Sequence, residues 1–93
     1  MNGWTFTGEI FYLKRLEGEF SISLKLRGSS RRKNAISEQV AEIACLGDDA
    51  FFDQFSKKGL KLYDSATISG HMESWMQNGK ASLKVMLIAD DVV

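Results

Sequence analysis

The stretch that decides the fold runs over residues 41–70 and reads AEIACLGDDAFFDQFSKKGLKLYDSATISG. Ala41 to Leu46 is short and mostly apolar, which predicts a strand. Gly47 lets the chain turn after it. Asp48 or Asp49 can then cap a helix, because a carboxylate at this position accepts hydrogen bonds from the first free N–H groups. The stretch therefore begins as a strand that turns into a helix.

The helix and the strand after it follow from the same stretch. Three phenylalanines at i, i+1 and i+4 give the helix one aromatic face that we expect to pack on the core, and these are Phe51, Phe52 and Phe55. Gly59 can supply the left-handed residue that ends the helix. Ala66 to Met72 predicts the next strand, and Gly70 within it indicates a bulge or a sharp bend.

Two alternating segments precede this stretch. Trp4 to Leu13 alternates as a strand, with Tyr12 on the face of Trp4 and with Phe11 and Leu13 on the other face. Phe20 to Arg27 alternates as well, and its apolar residues all fall on one face. Gly18 lies between the two segments, so they predict a long hairpin.

Two further segments connect or follow the strands. Gly28 to Asn34 (GSSRRKN) predicts a loop that is either a solvated hairpin tip or a flexible basic finger for phosphate contacts. Glu73 to Lys80 predicts a hairpin turn, since Asn78-Gly79 is a strong turn signal. Ala81 to Ala89 then predicts the fifth strand, and Asp90 to Val93 a short end.

The order of elements predicts the fold class. Five strands with one helix between the third and fourth is the order of an all-β, five-stranded OB-fold barrel, where OB stands for oligonucleotide/oligosaccharide-binding. A β-grasp fold or an SH3-like barrel would place the helix elsewhere or lack it. The length of 93 residues suits one domain over residues 1–93.

Composition argues against several classes of protein. The formal net charge is zero, so no global charge points to a nucleic acid or a membrane. The single Cys45 excludes an intramolecular disulfide, and we expect it to be buried. The single His71 has no nucleophile at a motif spacing, and we expect it on the surface. We expect no enzyme activity, no metal and no cofactor. No signal peptide or long apolar run is present, which favours the cytoplasm.

Most of the domain resembles the bacterial single-stranded DNA-binding proteins, including their short primosomal replication protein B-like relatives. The matching parts are AEIACLG, the helix end FSKKG, the strand TISG, and the hairpin with its return strand, SWMQNGKASLKVMLIADDV. The resemblance implies an OB-fold and binding of single-stranded DNA in replication, recombination or repair. The regions SLKLRGSSRR and QVAEIACL, where that family commonly carries aromatic side chains, contain none.

Single strands bind through a basic groove and through aromatic rings on which bases stack. Trp75 is the best stacking candidate, because core packing does not explain a tryptophan in a polar hairpin. Trp4 and the helix phenylalanines are expected in the core or, for Trp4, at a subunit interface. The candidates for phosphate contacts are basic residues of the second strand, the loop and the last hairpin: Lys25, Arg27, Arg31, Arg32, Lys33, Lys80 and Lys84.

Two alternative functions remain open at this point. The missing aromatics and the zero net charge favour an OB-fold protein-interaction or structural module with weak or no nucleic-acid binding. An RNA-binding, cold-shock-like module is less well supported, because strands two and three carry no run of surface aromatics. For the DNA-binding hypothesis we expect a homodimer or homotetramer, with replication or repair proteins as further partners and no membrane association.

Overall fold

The computed structural model describes the backbone of residues 3–32, 35–76 and 83–93, and the side chains of residues 3–27, 40–74 and 85–93. Over these residues five strands and one helix follow one another in the predicted order. Their bounds are β1 Gly3–Leu16, β2 Glu19–Arg32, β3 Ala35–Gly47, α1 Asp49–Lys57, β4 Ser65–Met76 and β5 Leu83–Val92.

The strands close into one barrel in the order β1-β2-β3-β5-β4. β1 is long enough to pair with β4 through its first half and with β2 through its second half. The barrel closes where β3 runs parallel to β5, with Leu46 opposite Ile88 and Gly47 opposite Ala89. A closed five-stranded barrel with its helix between the third and fourth strands confirms the predicted OB-fold.

The inward faces of the strands and one face of α1 form a single core. Phe51 of α1 is fully buried and Phe55 is 4% exposed, which confirms the aromatic face of the helix. Phe52 packs at the edge of this core, under the guanidinium of Arg15, which lies 3.7 Å from the ring centroid. The buried members of the core are Ile10, Phe20, Ile22, Leu24, Cys45, Phe51, Phe55, Ala66, Ile68, Ala89 and Val92.

Both predicted ends of the helix are confirmed. The Asp48 side chain accepts a hydrogen bond from the backbone N–H of Phe51 at 2.9 Å, so Asp48 is the N-cap. Gly59 follows the helix with φ of 68°, the left-handed conformation that glycine adopts at little cost. With nine residues, α1 is short, and no helix in the described ranges is long and apolar enough to cross a membrane.

Besides β3, which begins at Ala35 rather than Ala41, and β1, which ends at Leu16 rather than Leu13, three predicted boundaries are wrong, each because a strand is longer than its local sequence indicates. Residues 28–32 are not a loop: the β2–β3 ladder continues to Arg32 opposite Ala35. Residues 73–76 extend β4 rather than beginning a turn, and residues 33–34 and 77–82 lie outside the described residues. β5 runs through Asp90 to Val92, whose N–H donates to Gln54 Oε1 at 3.2 Å. In all three places cross-strand or helix contacts stabilise residues whose composition favours a turn.

Gly70 lies at a register shift between β4 and β5, which confirms the predicted bulge. A Cβ atom added at Gly70 would overlap the carbonyl oxygen of Ile88 and would lie 2.7 Å from Cζ2 of Trp4. A Cβ atom added at Gly3, on the neighbouring strand, would meet only the carbonyl oxygen of Gly70 at 3.6 Å. The two glycines therefore differ in the space available to a methyl group.

We expect Gly70→Ala to lower the free energy of unfolding by about 1–3 kcal/mol, the usual cost of forcing extra volume into a packed site. Gly3→Ala is the matched control and should cost clearly less. Urea unfolding followed by circular dichroism measures both. Equal stability of the two variants would contradict the close approach of β5 to Gly70.

His71 is on the surface, as predicted, and lies between two carboxylates. Its Nδ1 is 2.5 Å from Asp90 Oδ2 and its Nε2 is 2.8 Å from Glu73 Oε2. Hydrogen bonds to Asp90 and then to Glu73 raise the pKa of His71 above its ordinary value of 6.5. The protonated imidazole therefore links β4, which carries Glu73, to β5, which carries Asp90.

Because the pKa of His71 is higher in the folded state, its charge stabilises the fold fully below pH 6.5, and the effect is lost as pH rises through the raised value. We expect the difference in melting temperature between the wild type and His71→Gln to shrink as pH rises across that range. Thermal melts at a series of pH values measure this difference. A difference that stays constant with pH would show that protonation of His71 does not contribute.

Candidate nucleic-acid interface

A bulge in β1 shapes the outer surface of the barrel. The pairing of β1 with β2 changes register between Ile10, opposite Leu24, and Tyr12, opposite Ser23. Phe11 is the extra residue. A bulge of this kind interrupts the alternation of side chains along the strand.

The bulge overturns part of the predicted face assignment. Leu13 lies opposite the fully buried Ile22 and packs against the core, whereas Tyr12 is 44% exposed. The predicted position of Tyr12 on the same face as Trp4 and Ile10 is therefore wrong. One inserted residue shifts the period-2 pattern, so every side chain after the insertion changes face.

Phe11 and Tyr12 line one depression on the outside of β1, β2 and β3. We call it the aromatic depression. It has a volume of about 420 Å³ and its lining residues are Phe11, Tyr12, Ser23, Glu42, Ile43 and Ala44. Two adjacent aromatic side chains beside small residues form a surface on which flat aromatic ligands can stack. Neither ring is among the binding residues predicted from the sequence.

Lys25, a predicted phosphate contact, lies beside this depression. Its Nζ is 5.4 Å from the centroid of the Phe11 ring, within the range of a cation–π contact. The register places Glu9 of β1 and Glu42 of β3 opposite Lys25, one on each side. The cation therefore belongs to a row of alternating charge, which weakens its attraction for a phosphate. This row of charges could not be predicted from the sequence, because its three members come from three different strands and meet only through the pairing of those strands.

Arg27 lies one step further along β2, where its partner on β3 is the apolar Val40. Its side chain is exposed. Beyond it, residues 27–40 carry four basic residues and one acid, a formal charge of +3. The ladder places the backbone of Arg31 opposite Ile36 and that of Arg32 opposite Ala35, so much of this basic segment belongs to the β2–β3 hairpin.

Several predicted site residues have no described side chain. These are Arg31, Arg32, Trp75 and Lys84, while Lys33 and Lys80 lie outside the described residues altogether. The β4–β5 register places the backbone of Trp75 opposite that of Lys84, which locates both in the same hairpin. Their roles in binding stay predictions.

A second groove opens where β3 and β5 diverge. We call it the open seam. It has a volume of about 470 Å³, and most of its lining is apolar: Ser21, Glu42, Ile43, Ala44, Cys45, Leu46, Val85, Met86 and Leu87. Val85 of β5 is an apolar side chain that is 65% exposed here. Glu42, Ile43 and Ala44 line both the open seam and the aromatic depression, so one acidic side chain lies at the boundary between them.

Cys45, which also borders the open seam, is 3% exposed, which confirms its predicted burial. Burial raises the pKa of the Cys45 thiol to about 11. The thiol is therefore neutral near pH 7 and a poor nucleophile. Within the described residues, no group of three or more His, Cys, Asp or Glu side chains is arranged to hold a metal ion.

Trp4 is held by contacts within the barrel. Its indole Nε1–H donates to the carbonyl oxygen of His71 at 2.8 Å, and its ring stacks on Phe6 with centroids 5.2 Å apart. Both rings pack against the core. Trp4 is therefore partly buried against the core, and its place at a subunit interface stays a prediction. The exposed aromatic surface belongs to β1 residues further along the strand.

Comparisons with known proteins agree with the fold. No protein-family model matches the sequence, and no curated protein matches it either. Among solved structures, the chain is similar to a small single-stranded DNA-binding protein from Mycoplasma pneumoniae, at 12% identity and a TM-score of 0.62 over 100% of this chain and 92% of that chain.

Two further solved structures are similar over nearly the whole chain. The Plasmodium falciparum single-stranded DNA-binding protein, in complex with single-stranded DNA, has 17% identity and a TM-score of 0.65 over 98% of this chain and 88% of that chain. The mitochondrial single-stranded DNA-binding protein of S. cerevisiae has 10% identity and a TM-score of 0.67 over 99% and 92%. At these identities the likeness shows a shared fold: this chain folds into the OB barrel of those proteins.

Proposed function

We propose that this protein binds single-stranded DNA on the outer face of β1, β2 and β3. The observation that carries the proposal is the bulge in β1, which turns Phe11 and Tyr12 outward beside Lys25. Support also comes from the similar solved structures, which are single-stranded DNA-binding proteins, one of them in complex with its DNA.

The contacts divide between bases and phosphates. Bases stack on the rings of Phe11 and Tyr12, because every base offers a flat face and stacking tolerates any sequence. Phosphates lie along Arg27 and the three basic residues at 31–33 rather than at Lys25, which has an acid on each side. Trp75 and the hairpin lysines Lys80 and Lys84 complete the path from the β4–β5 side.

We also propose a homodimer or homotetramer acting in the cytoplasm in DNA replication, recombination or repair, without catalysis of its own. A single barrel offers a short groove, and assembly would join several grooves along one strand of DNA. Size-exclusion chromatography with light scattering measures the oligomeric state directly.

The protein-interaction alternative has an observation of its own. The open seam is lined mainly by apolar side chains, and the Glu9–Lys25–Glu42 row gives the adjacent surface more negative than positive charge. Such a surface suits a peptide better than a polyanion. Absence of DNA binding at low salt would favour this alternative.

The exposed ring of Tyr12 provides a test of base stacking at this interface. We expect Tyr12→Ala to weaken binding of a labelled oligothymidine by about 5- to 150-fold, the equivalent of one lost stack at roughly 1–3 kcal/mol. Tyr12→Phe is the matched control and should bind like the wild type, because it keeps the ring. Fluorescence anisotropy at low and moderate salt measures the affinities.

Two further results from that titration bear on the proposal. Trp75→Ala in the same assay, with quenching of tryptophan fluorescence, tests whether bases also stack on the β4–β5 hairpin. No binding by the wild type at low salt, or equal binding by Tyr12→Ala and Tyr12→Phe, would contradict the proposed interface.

Glu42 lies at the boundary between the open seam and the aromatic depression, so its charge provides a second test of the interface. We expect Glu42→Gln to bind the oligothymidine about threefold more tightly at low salt, which corresponds to removing the repulsion between two unit charges about 6 Å apart in water. The gain should disappear at high salt because exposed charges are screened.

Asp53→Asn is the matched control for this effect, since Asp53 is an exposed acid on α1 that borders neither groove. The affinity of Asp53→Asn for the oligothymidine should equal that of the wild type. A gain of the same size in both variants would show a general charge effect rather than a repulsion that depends on the position of Glu42.

A further inference from the structure

Tyr63 has a left-handed backbone conformation and a highly exposed aromatic side chain. Its φ is 74°, and among the described residues it is the non-glycine residue with positive φ. This conformation is unfavourable for a bulky side chain and is often found at functional sites. The side chain is 73% exposed, so burial of the ring does not explain why the conformation is adopted.

The backbone around Tyr63 is held firmly against the β1 bulge. The N–H of Tyr63 donates to the carbonyl oxygen of Ile10 at 2.7 Å, and the N–H of Ile10 donates to the carbonyl oxygen of Asp64 at 2.9 Å. The Asp64 side chain accepts from the N–H of Lys61 at 3.0 Å, which closes the turn. The exposed ring therefore projects from a fixed backbone that is bonded to Ile10, the residue before Phe11.

The ring borders a depression of about 270 Å³ on the outside of β1, β2 and β4, which we call the tyrosine depression. Its other polar lining side chains are Thr7, Glu9, Lys25, Arg27 and Ser65. Two cations and one acid give it a formal charge of +1. An aromatic ring, hydroxyl groups and net positive charge in one depression match a flat base joined to a singly charged phosphodiester.

We propose that the tyrosine depression is a second nucleotide subsite, in which a base stacks on Tyr63 and its phosphate lies toward Arg27. This inference rests on the proposed function. Lys25 borders the tyrosine depression and also covers Phe11 of the aromatic depression, so the two subsites are contiguous. The bound strand then crosses β1 from the β3 side to the β4 side, and the footprint of one barrel is longer than the aromatic depression alone allows.

The test compares oligothymidines of about 4 to 16 nucleotides, the range of site sizes of one OB-fold. Tyr63→Asn removes the ring and tolerates the left-handed backbone, and Tyr63→Phe is the matched control that keeps the ring. Affinities come from fluorescence anisotropy, and circular dichroism melts establish that each variant is folded.

We expect the shortest oligonucleotides to bind the wild type and Tyr63→Asn equally, since they fill only the aromatic depression. Longer ones should bind Tyr63→Asn about 5- to 150-fold more weakly, the value of one stacked base. The ratio of the wild-type affinity to the Tyr63→Asn affinity should be the same at low and moderate salt, because stacking releases no counterions. Tyr63→Phe should match the wild type at every length.

Three results would overturn the subsite, and they are distinguishable from failure of the proposed function. Equal binding of Tyr63→Asn and the wild type at all lengths, while Tyr12→Ala binds weakly, overturns the subsite alone. So does a loss that is the same at all lengths, or a loss shared by Tyr63→Phe. No binding of any oligonucleotide by the wild type overturns the proposed function and the subsite together.

Discussion

The surface of this barrel depends on the hydrogen bonds made by the backbone of Ile10. The Ile10 side chain is fully buried, and its N–H and carbonyl groups bond to Asp64 and Tyr63. The next residue, Phe11, is inserted into the pairing with β2. The backbone of Ile10 thus holds the segment after the helix, including the backbone of Tyr63. The insertion that follows Ile10 places the rings of Phe11 and Tyr12 on the outside of the barrel. A bulge that redirects side chains next to a binding surface is a recurring use of this irregularity.

Charge on the barrel is arranged so that stacking and phosphate contacts occupy different places. Around the aromatic depression, Lys25 has Glu9 and Glu42 as cross-strand neighbours. The excess of positive charge lies in residues 27–40, and residues 27–32 pair with residues 35–40 in the β2–β3 ladder. A zero net charge for the chain is therefore compatible with a phosphate path, because a local excess of charge, and not the total, attracts a polyanion over a Debye length of about 8–10 Å.

Much of the fold could be predicted from local signals. The helix, its Asp48 cap, its phenylalanine face and the Gly70 bulge all follow from residue types at fixed spacings, and each is present. The predicted loop is wrong over residues 28–32, because a small and polar composition favours a turn only when no strand pairs with the segment. Here β3 pairs with the segment as far as Arg32. The site was predicted less well, since Phe11, Tyr12, Glu42 and Tyr63 are unremarkable in the sequence and meet only across strands.

The sequence by itself determined the order of the elements, most residues of the core and the position of the basic segment, because periodicity, capping and composition are properties of neighbouring residues. The tertiary structure decided which side chains face outward after Ile10, which acids border Lys25, and where Tyr63 projects. A bulge exists only relative to a partner strand, and a left-handed tyrosine persists only where contacts distant in sequence hold it. Barrel closure brings those contacts together.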